Sequence, residues 1–124
     1  MKQHSEGFLK ISMDAKQRVQ AIDIYAVKRK IDGKQTFYLI DVQEKDEWQS
    51  NHIKGALHLS KGIIERDIEK IIPDKNSEIV LYCSGGFRSA LAADNVQKMG
   101  YKNVSSMEGG LSAWKKADFP LADD

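Results

Sequence analysis

Residues 78–90 read EIVLYCSGGFRSA, and this stretch decides how the chain folds. Ile79–Tyr82 is a continuous apolar run, which favours a strand that is covered on both faces. Gly85 and Gly86 break the run, and Arg88-Ser89-Ala90 opens a segment of helical character. A strand that passes through a glycine turn into a helix is typical of α/β proteins with a parallel sheet.

The rest of the chain alternates strand and helix signals in the same way. Besides Glu78–Cys83, the β-rich runs predict strands at Thr36–Val42, Phe8–Ser12, Ala56–Leu59 and Asn103–Met107. Helical spacing of apolar residues predicts buried stripes at Ala15/Val19/Ile22/Ala26, at Ile64/Ile68/Ile71 before Pro73, and at Ala92/Val96/Met99 before Gly100. A last helix is expected from about Leu111 to Ala117. We therefore expect a single three-layer α/β domain over residues 1–124, with its core at about 8–121 and a largely parallel central sheet flanked by helices.

Composition excludes several function classes. The 124 residues carry a net charge of +1, with 41% hydrophobic and 30% charged residues, as in an ordinary globular domain. We expect neither a nucleic-acid partner nor a membrane partner, because no basic excess and no long apolar run is present. Cys83 is the single cysteine, which excludes an internal disulfide and a Cys-rich metal site. A cytoplasmic location is expected, and a reduced thiol fits it.

Cys83 is the residue to which the sequence assigns chemistry. It stands at the carboxyl end of the predicted strand, where ligands gather in open α/β sheets. The glycines at 85 and 86 let several backbone N–H groups converge on one point, and the following helix adds its partial positive charge. This arrangement suits an anion that is bonded to the sulfur or attacked by it. The alternative is an inert cysteine that serves as a small hydrophobe, as most strand cysteines do.

The motifs around Cys83 resemble those of the rhodanese-like sulfurtransferases. The active-site loop of that family is similar to Cys83–Ala90, and its Asp-Val-Arg-Glu signature is similar to Asp41–Glu44. The segment His52–Ala56 is similar to its His-Ile-Pro-Gly-Ala element. Met107–Gly110, followed by Trp114 and Pro120, is similar to its closing pattern. Four motifs in the right order span about residues 8–121 and imply a three-layer rhodanese-like domain.

The resemblance implies sulfur transfer through Cys83. Its thiolate would take the outer sulfur of thiosulfate or a related small-molecule donor, and cyanide or a thiol would then accept that sulfur. Backbone N–H groups from Ser84, Gly85, Gly86, Phe87 and Arg88 would bind the transferred sulfur, with no metal and no organic cofactor. The alternative is a sulfur-relay or interaction module that exchanges sulfur with a protein donor or acceptor. A domain that only binds is disfavoured, because such members of the family often lack the cysteine.

Loop length separates this chemistry from phosphate chemistry. Four residues lie between Cys83 and Arg88, whereas the related phosphatases enclose phosphate with a loop that has five. The shorter loop better fits one sulfur atom, which leaves a phosphatase or arsenate reductase as a weaker alternative.

Several roles near Cys83 stay open at the level of sequence. Arg88 either binds an anionic substrate or anchors the loop through an ion pair, with Asp41 as a candidate partner. Phe87 either packs inward or forms a wall of the pocket, and Glu65 is expected to be exposed rather than at the pocket rim. His52 is expected to make a structural hydrogen bond. Gln43 stands where the family usually has arginine, which puts substrate preference in doubt.

Overall fold

A computed structural model describes residues 4–122 of the chain. The ends of the predicted domain, residues 1–3 and 123–124, lie outside the described residues. Within the described range, helices and strands alternate in the order α1 (Glu6–Lys16), β1 (Gln20–Ile22), α2 (Ile24–Asp32), β2 (Tyr38–Asp41), α3 (Lys45–Ser50), β3 (Leu57–His58), α4 (Ile64–Ile71), β4 (Glu78–Tyr82), α5 (Phe87–Lys98), β5 (Asn103–Met107) and α6 (Gly110–Lys116).

The five strands form one sheet in the order β1-β5-β4-β2-β3, and all its pairings are parallel. β4 lies in the middle, paired with β2 on one side and β5 on the other. The carboxyl ends of these three strands therefore meet at one edge of the sheet, which is where Cys83 follows β4.

Two hydrophobic cores cover the two faces of the sheet. One face packs against α4 and α5, with Ile40, Ile79 and Leu81 of the strands pointing toward that core. The other face packs against α2 and α6, with Leu39 and Val80 in its core. The alternation of neighbouring strand residues between two cores explains why the strand sequences are apolar throughout. The expected three-layer α/β fold with a parallel sheet is confirmed.

The elements around the central strand agree with the sequence prediction to within a few residues. β4 and β5 lie within or match their predicted ranges, and β2 occupies the middle of Thr36–Val42. In α4 the third buried isoleucine is Ile72 rather than the predicted Ile71, which is 45% exposed. Ile72 lies one residue beyond the helix, where the chain has already turned back toward the core.

The N-terminal prediction is wrong in two places. Phe8–Ser12 belongs to helix α1, not to a strand. The predicted helical stripe from Ala15 to Ala26 runs instead through the end of α1, strand β1 and the first turn of α2. Asp23 ends the strand and caps α2, because its carboxylate accepts the Ala26 N–H at 2.8 Å. In the part of the chain that the structure describes, no helix has the length and apolar character to span a membrane.

Candidate active site

Cys83 is the first residue after β4, and its side chain is buried (1% exposed). The Gly86 N–H donates to the Cys83 sulfur at 3.1 Å, and the Ser89 N–H donates to it at 3.3 Å. Both donors belong to the start of α5, where the helix dipole places partial positive charge. The arrangement can stabilise negative charge on the sulfur.

Two serine hydroxyls continue the contacts of the sulfur toward β5. The Cys83 thiol donates to Ser89 Oγ at 3.5 Å, and Ser89 Oγ lies 2.8 Å from Ser106 Oγ. Both serines are buried. The sulfur therefore contacts hydrogen-bonding groups of Gly86 and Ser89, and the Ser89 hydroxyl links this site to the neighbouring strand.

The shape of the loop depends on two glycines, one within the loop and one at the start of α6. Gly86 has φ +97°, a left-handed conformation that side chains rarely adopt. Gly110, at the start of α6, has φ +56°, and a Cβ there would lie 2.4 Å from the Cys83 carbonyl oxygen. Leu111 and Ser112 also donate their N–H groups to the carbonyls of Cys83 and Ser84, at 2.8 and 3.0 Å. The start of α6 thus holds the backbone on which the thiol is carried.

Arg88 pairs with Glu47 of helix α3. Its Nη1 donates to Glu47 Oε2 at 2.7 Å, and its Nη2 donates to Oε1 at 2.8 Å. These hydrogen bonds raise the pKa of Arg88 above its ordinary value, and the pair is partly exposed. Glu47 also accepts the Glu44 N–H at 2.9 Å as part of a capping box, so its carboxylate is held in place from both sides.

Asp41 is not the partner of Arg88. Its buried carboxylate accepts the Gln43 N–H at 2.8 Å and the Gln43 side-chain amide at 2.9 Å. Burial raises the pKa of Asp41, and hydrogen bonds from Tyr82 and Gln43 oppose that rise. Gln43 is itself buried and donates to Asp41 from uncharged groups. The resemblance to the family implies a charged arginine at this position.

A cavity of about 360 Å³ opens over the thiol. It is lined by His4, Phe8, Glu47, Cys83, Ser84, Gly85, Phe87, Arg88 and Ser112. Phe87 forms part of its wall rather than packing into the core. Gly86 contributes to the site through its N–H, which donates to the Cys83 sulfur. Glu65 accepts a hydrogen bond from Asn95 and does not line the cavity.

His52 and His58 lie beside Trp48, away from the lining of this cavity. The His52 ring stacks on Trp48 at 3.4 Å between centroids, and its Nδ1 donates to the Trp48 carbonyl at 2.8 Å. His58 donates from Nε2 to the Gln43 carbonyl at 2.7 Å. These contacts fit the structural role expected of His52.

The structure brings Cys83 and all five predicted loop residues to one place, and it adds residues that the sequence reasoning missed. Ser89 could have been found, since it directly follows Arg88 at the start of the helix. Glu47 and Ser106 come from other elements, and nothing in their local sequence marks them. Phe8 is hidden by the prediction of a strand at Phe8–Ser12, and nothing in the local sequence marks His4.

The fold and the site thus define a parallel α/β domain with a cysteine after its central strand and the N–H groups of a helix start directed at the sulfur. Residues 23–117 match the Rhodanese-like domain family, and the chain belongs to that family.

The relatives of this chain include sulfurtransferases and a sulfur carrier. The thiosulfate sulfurtransferase GlpE of Coxiella burnetii is 34% identical over 90 residues, which cover 73% of this chain and 81% of GlpE. YtwF of Bacillus subtilis, provisionally named a sulfurtransferase, is 35% identical over 78% of this chain and 91% of its own length. YrkF of the same bacterium, provisionally named a sulfur carrier protein, is 31% identical over 77% of this chain, and the match spans only 51% of YrkF.

A solved structure resembles the chain over almost its full length. RPA3614 of Rhodopseudomonas palustris superposes with a TM-score of 0.85 at 28% identity, and the match covers 98% of this chain and 99% of that protein. It is described as a protein of unknown function and a possible tyrosine phosphatase.

Proposed function

We propose that this protein is a sulfurtransferase that moves a sulfane sulfur from thiosulfate or a related donor to a thiophilic acceptor through a persulfide on Cys83. The observation that carries the proposal is the contact of the Cys83 sulfur with the N–H groups of Gly86 and Ser89, at 3.1 and 3.3 Å. Such donors stabilise the negative charge that a sulfur nucleophile carries before and after each transfer.

The reaction has two displacements. The Cys83 thiolate attacks the outer sulfur of thiosulfate, the S–S bond of the donor breaks, and sulfite leaves with the bonding electrons. A cyanide ion or an organic thiolate then attacks the terminal sulfur of the persulfide. The Cys83–sulfur bond breaks, the thiolate is restored, and thiocyanate or an organic persulfide leaves. Neither step requires a metal or an organic cofactor.

The residues of the loop have different roles in the proposed reaction. Cys83 carries the sulfur, while the backbone from Ser84 to Arg88 surrounds the terminal sulfur atom. Arg88 does not approach a substrate as a lone cation, because Glu47 holds its guanidinium group. An anionic donor must therefore be attracted mainly by the N–H groups and the helix dipole.

The test is the mass of the intact protein after incubation with thiosulfate. We expect the wild type to gain one sulfur atom, and we expect Cys83→Ser to gain none. Because Cys83 is the only cysteine among 124 residues, a gain by the wild type alone assigns the sulfur to this residue. Cyanide added afterwards should restore the original mass and release thiocyanate. An unchanged wild-type mass with thiosulfate and with organic persulfides would refute the proposal.

A tyrosine phosphatase is the second candidate, and the description of RPA3614 is what favours it. The four-residue spacing between Cys83 and Arg88 and the pairing of Arg88 with Glu47 argue against it, because a phosphate needs a wider loop and an available guanidinium. Hydrolysis of p-nitrophenyl phosphate that is lost in Cys83→Ser, without sulfur loading, would favour the phosphatase.

A sulfur relay to a protein acceptor is a variant of the same chemistry, and the name of YrkF supports it. The persulfide of the wild type would then react slowly with cyanide and rapidly with a protein thiol. The rates of the two transfers, measured from the same loaded protein, separate a relay from an enzyme with a small acceptor.

A further inference from the structure

Part of the pocket wall comes from outside the residues that match the family. The match begins at residue 23, whereas His4 and Phe8 line the cavity above Cys83. Phe8 belongs to the first turns of α1, and His4 lies just before that helix. The N-terminal helix is therefore part of the site and not only a cover for the core.

The rings of these residues form one aromatic cluster with Phe87 of the active-site loop. The centroids of His4 and Phe87 lie 4.7 Å apart, and those of Phe8 and Phe87 lie 6.1 Å apart. His4 and Phe8 are themselves 5.2 Å apart, and Lys16 Nζ lies 4.2 Å from the centre of the Phe87 ring. We call His4, Phe8 and Phe87 the aromatic wall.

The charged side chains that line the cavity nearly cancel. Arg88 is the only lysine or arginine among the described residues that line the cavity, and Glu47 neutralises it through two hydrogen bonds. A small dianion gains little binding free energy from this neutralised ion pair, whereas an apolar or aromatic group gains binding free energy by contact with the rings. The cavity volume of about 360 Å³ lies within the range of small-molecule sites.

Helix α1 is held firmly enough to serve as a wall. Arg18, just beyond the helix, bonds to Asp94 of α5 at 3.1 and 2.7 Å, and Gln97 donates to the Arg18 carbonyl at 3.1 Å. Ser12 and Ala15 are buried in the contact with α5. Since α5 also carries Phe87 at its start, the two parts of the aromatic wall are fixed to the same helix.

We propose that the aromatic wall binds the organic part of the sulfur acceptor, and that this acceptor is a small thiol with an aromatic or bulky apolar group next to its sulfur. The inference rests on the proposed function, because it names the acceptor class for the same persulfide. The acceptor thiolate attacks the terminal sulfur of the Cys83 persulfide, the S–S bond breaks, and an organic persulfide and the Cys83 thiolate result.

The first experiment compares two acceptors on protein loaded with thiosulfate. Benzyl mercaptan carries an aromatic group beside the sulfur, and cyanide carries none. We expect Phe8→Ala to lower the ratio of kcat/KM for benzyl mercaptan to that for cyanide by about tenfold, the upper size of one aromatic contact. His4→Ala should lower the same ratio, and because His4 is exposed and precedes the helix, this change leaves the core in place. Met13→Ala is the matched control, because Met13 lies on α1 but is 53% exposed and outside the cavity lining.

The second experiment needs no sulfur transfer and so separates this inference from the proposed function. Cys83 is alkylated with N-benzyliodoacetamide and with iodoacetamide, which share a reactive carbon and differ in one ring. The measured quantity is the rate of alkylation by N-benzyliodoacetamide divided by the rate with iodoacetamide. We expect this ratio to be about tenfold higher in the wild type than in Phe8→Ala. If the protein takes up no sulfur but keeps this preference for the benzyl reagent, the proposed sulfurtransferase function is refuted, whereas the binding role of the aromatic wall is supported. Equal ratios in the wild type, Phe8→Ala and His4→Ala would overturn the wall, and rapid transfer only to a protein thiol would overturn the small acceptor.

Discussion

At the scale of single residues, Glu47 decides how much charge the pocket offers to a donor. Its carboxylate occupies both terminal nitrogens of Arg88, at 2.7 and 2.8 Å. Glu47→Gln keeps an oxygen for the capping box and removes the negative charge. We expect KM for thiosulfate to fall about fivefold, which corresponds to about 1 kcal/mol for a partly exposed charge, while KM for cyanide changes less.

Steady-state kinetics with thiosulfate as the varied substrate measure this effect. Asp46→Asn is the matched control, because Asp46 is an exposed acidic residue of the same helix that does not line the cavity. An equal effect in both variants would mean that only the overall charge matters. An increase in KM in Glu47→Gln would mean that the ion pair holds Arg88 in its working position.

The part of the site that is continuous in the chain is predictable from the sequence. Cys83 and the loop up to Arg88 could be predicted, because a strand, two glycines and a helix start stand in one stretch. Glu47 lies 41 residues from Arg88, and its approach depends on how α3 packs beside the loop. Only the sheet order brings these two residues together, so no local pattern could have named the pair.

At the scale of elements, we expect the attachment of α1 to α5 to weaken in acid. Hydrogen bonds from Arg18 lower the pKa of Asp94 below its ordinary value of 3.8. Because this pKa is lower in the folded protein than in the unfolded chain, the stabilisation is fully present above about pH 4 and is lost as the pH falls through the lowered pKa. Asp94→Asn should reduce the free energy of unfolding by about 1 kcal/mol at pH 7, and by less at pH 3.

Urea unfolding at pH 7, 5, 4 and 3 measures this difference. Asp67→Asn is a suitable comparison, since Asp67 pairs with its exposed neighbour Arg66 and connects no two elements. A difference between the wild type and Asp94→Asn that grows toward acid pH would contradict the assignment.

The elements themselves were predictable where their apolar residues follow one period. Helix α4 carries such a pattern and strand β4 is a continuous apolar run, whereas α1 has neither signal. The face that α1 buries includes Ser12 and Ala15, so a polar and a small residue stand where a stripe of large apolar side chains would mark a helix. Strand β1 has only three residues and lies at the edge of the sheet, which leaves too short a pattern to detect.

At the scale of the whole molecule, the sheet separates two cores that should respond independently to small defects. Ile68 lies in the core under α4 and α5, and Ile24 lies in the core under α2 and α6. Ile68→Val and Ile24→Val should each cost about 1 kcal/mol of unfolding free energy. The double variant should cost their sum to within about 0.5 kcal/mol, because the sheet lies between the two sites.

Urea unfolding of the wild type, the two single variants and the double variant gives this coupling energy. Ile68→Val with Ile64→Val is the contrasting pair, because both residues belong to the same core and the same helix. A coupling well above 0.5 kcal/mol across the sheet would show that the two cores form one unit.

The strand order of the sheet also determines when each strand can pair during synthesis of the chain. Gln20 of β1 pairs with Ser105 of β5, which is made 85 residues later. At about 5–20 residues per second, the first strand waits roughly 4–17 s on the ribosome before its partner exists. The same holds for the site, since Ser106 and the start of α6 at Gly110 are made after Cys83. The surroundings of the thiol are therefore completed late, because the chain must be made at least as far as Gly110 before they can form.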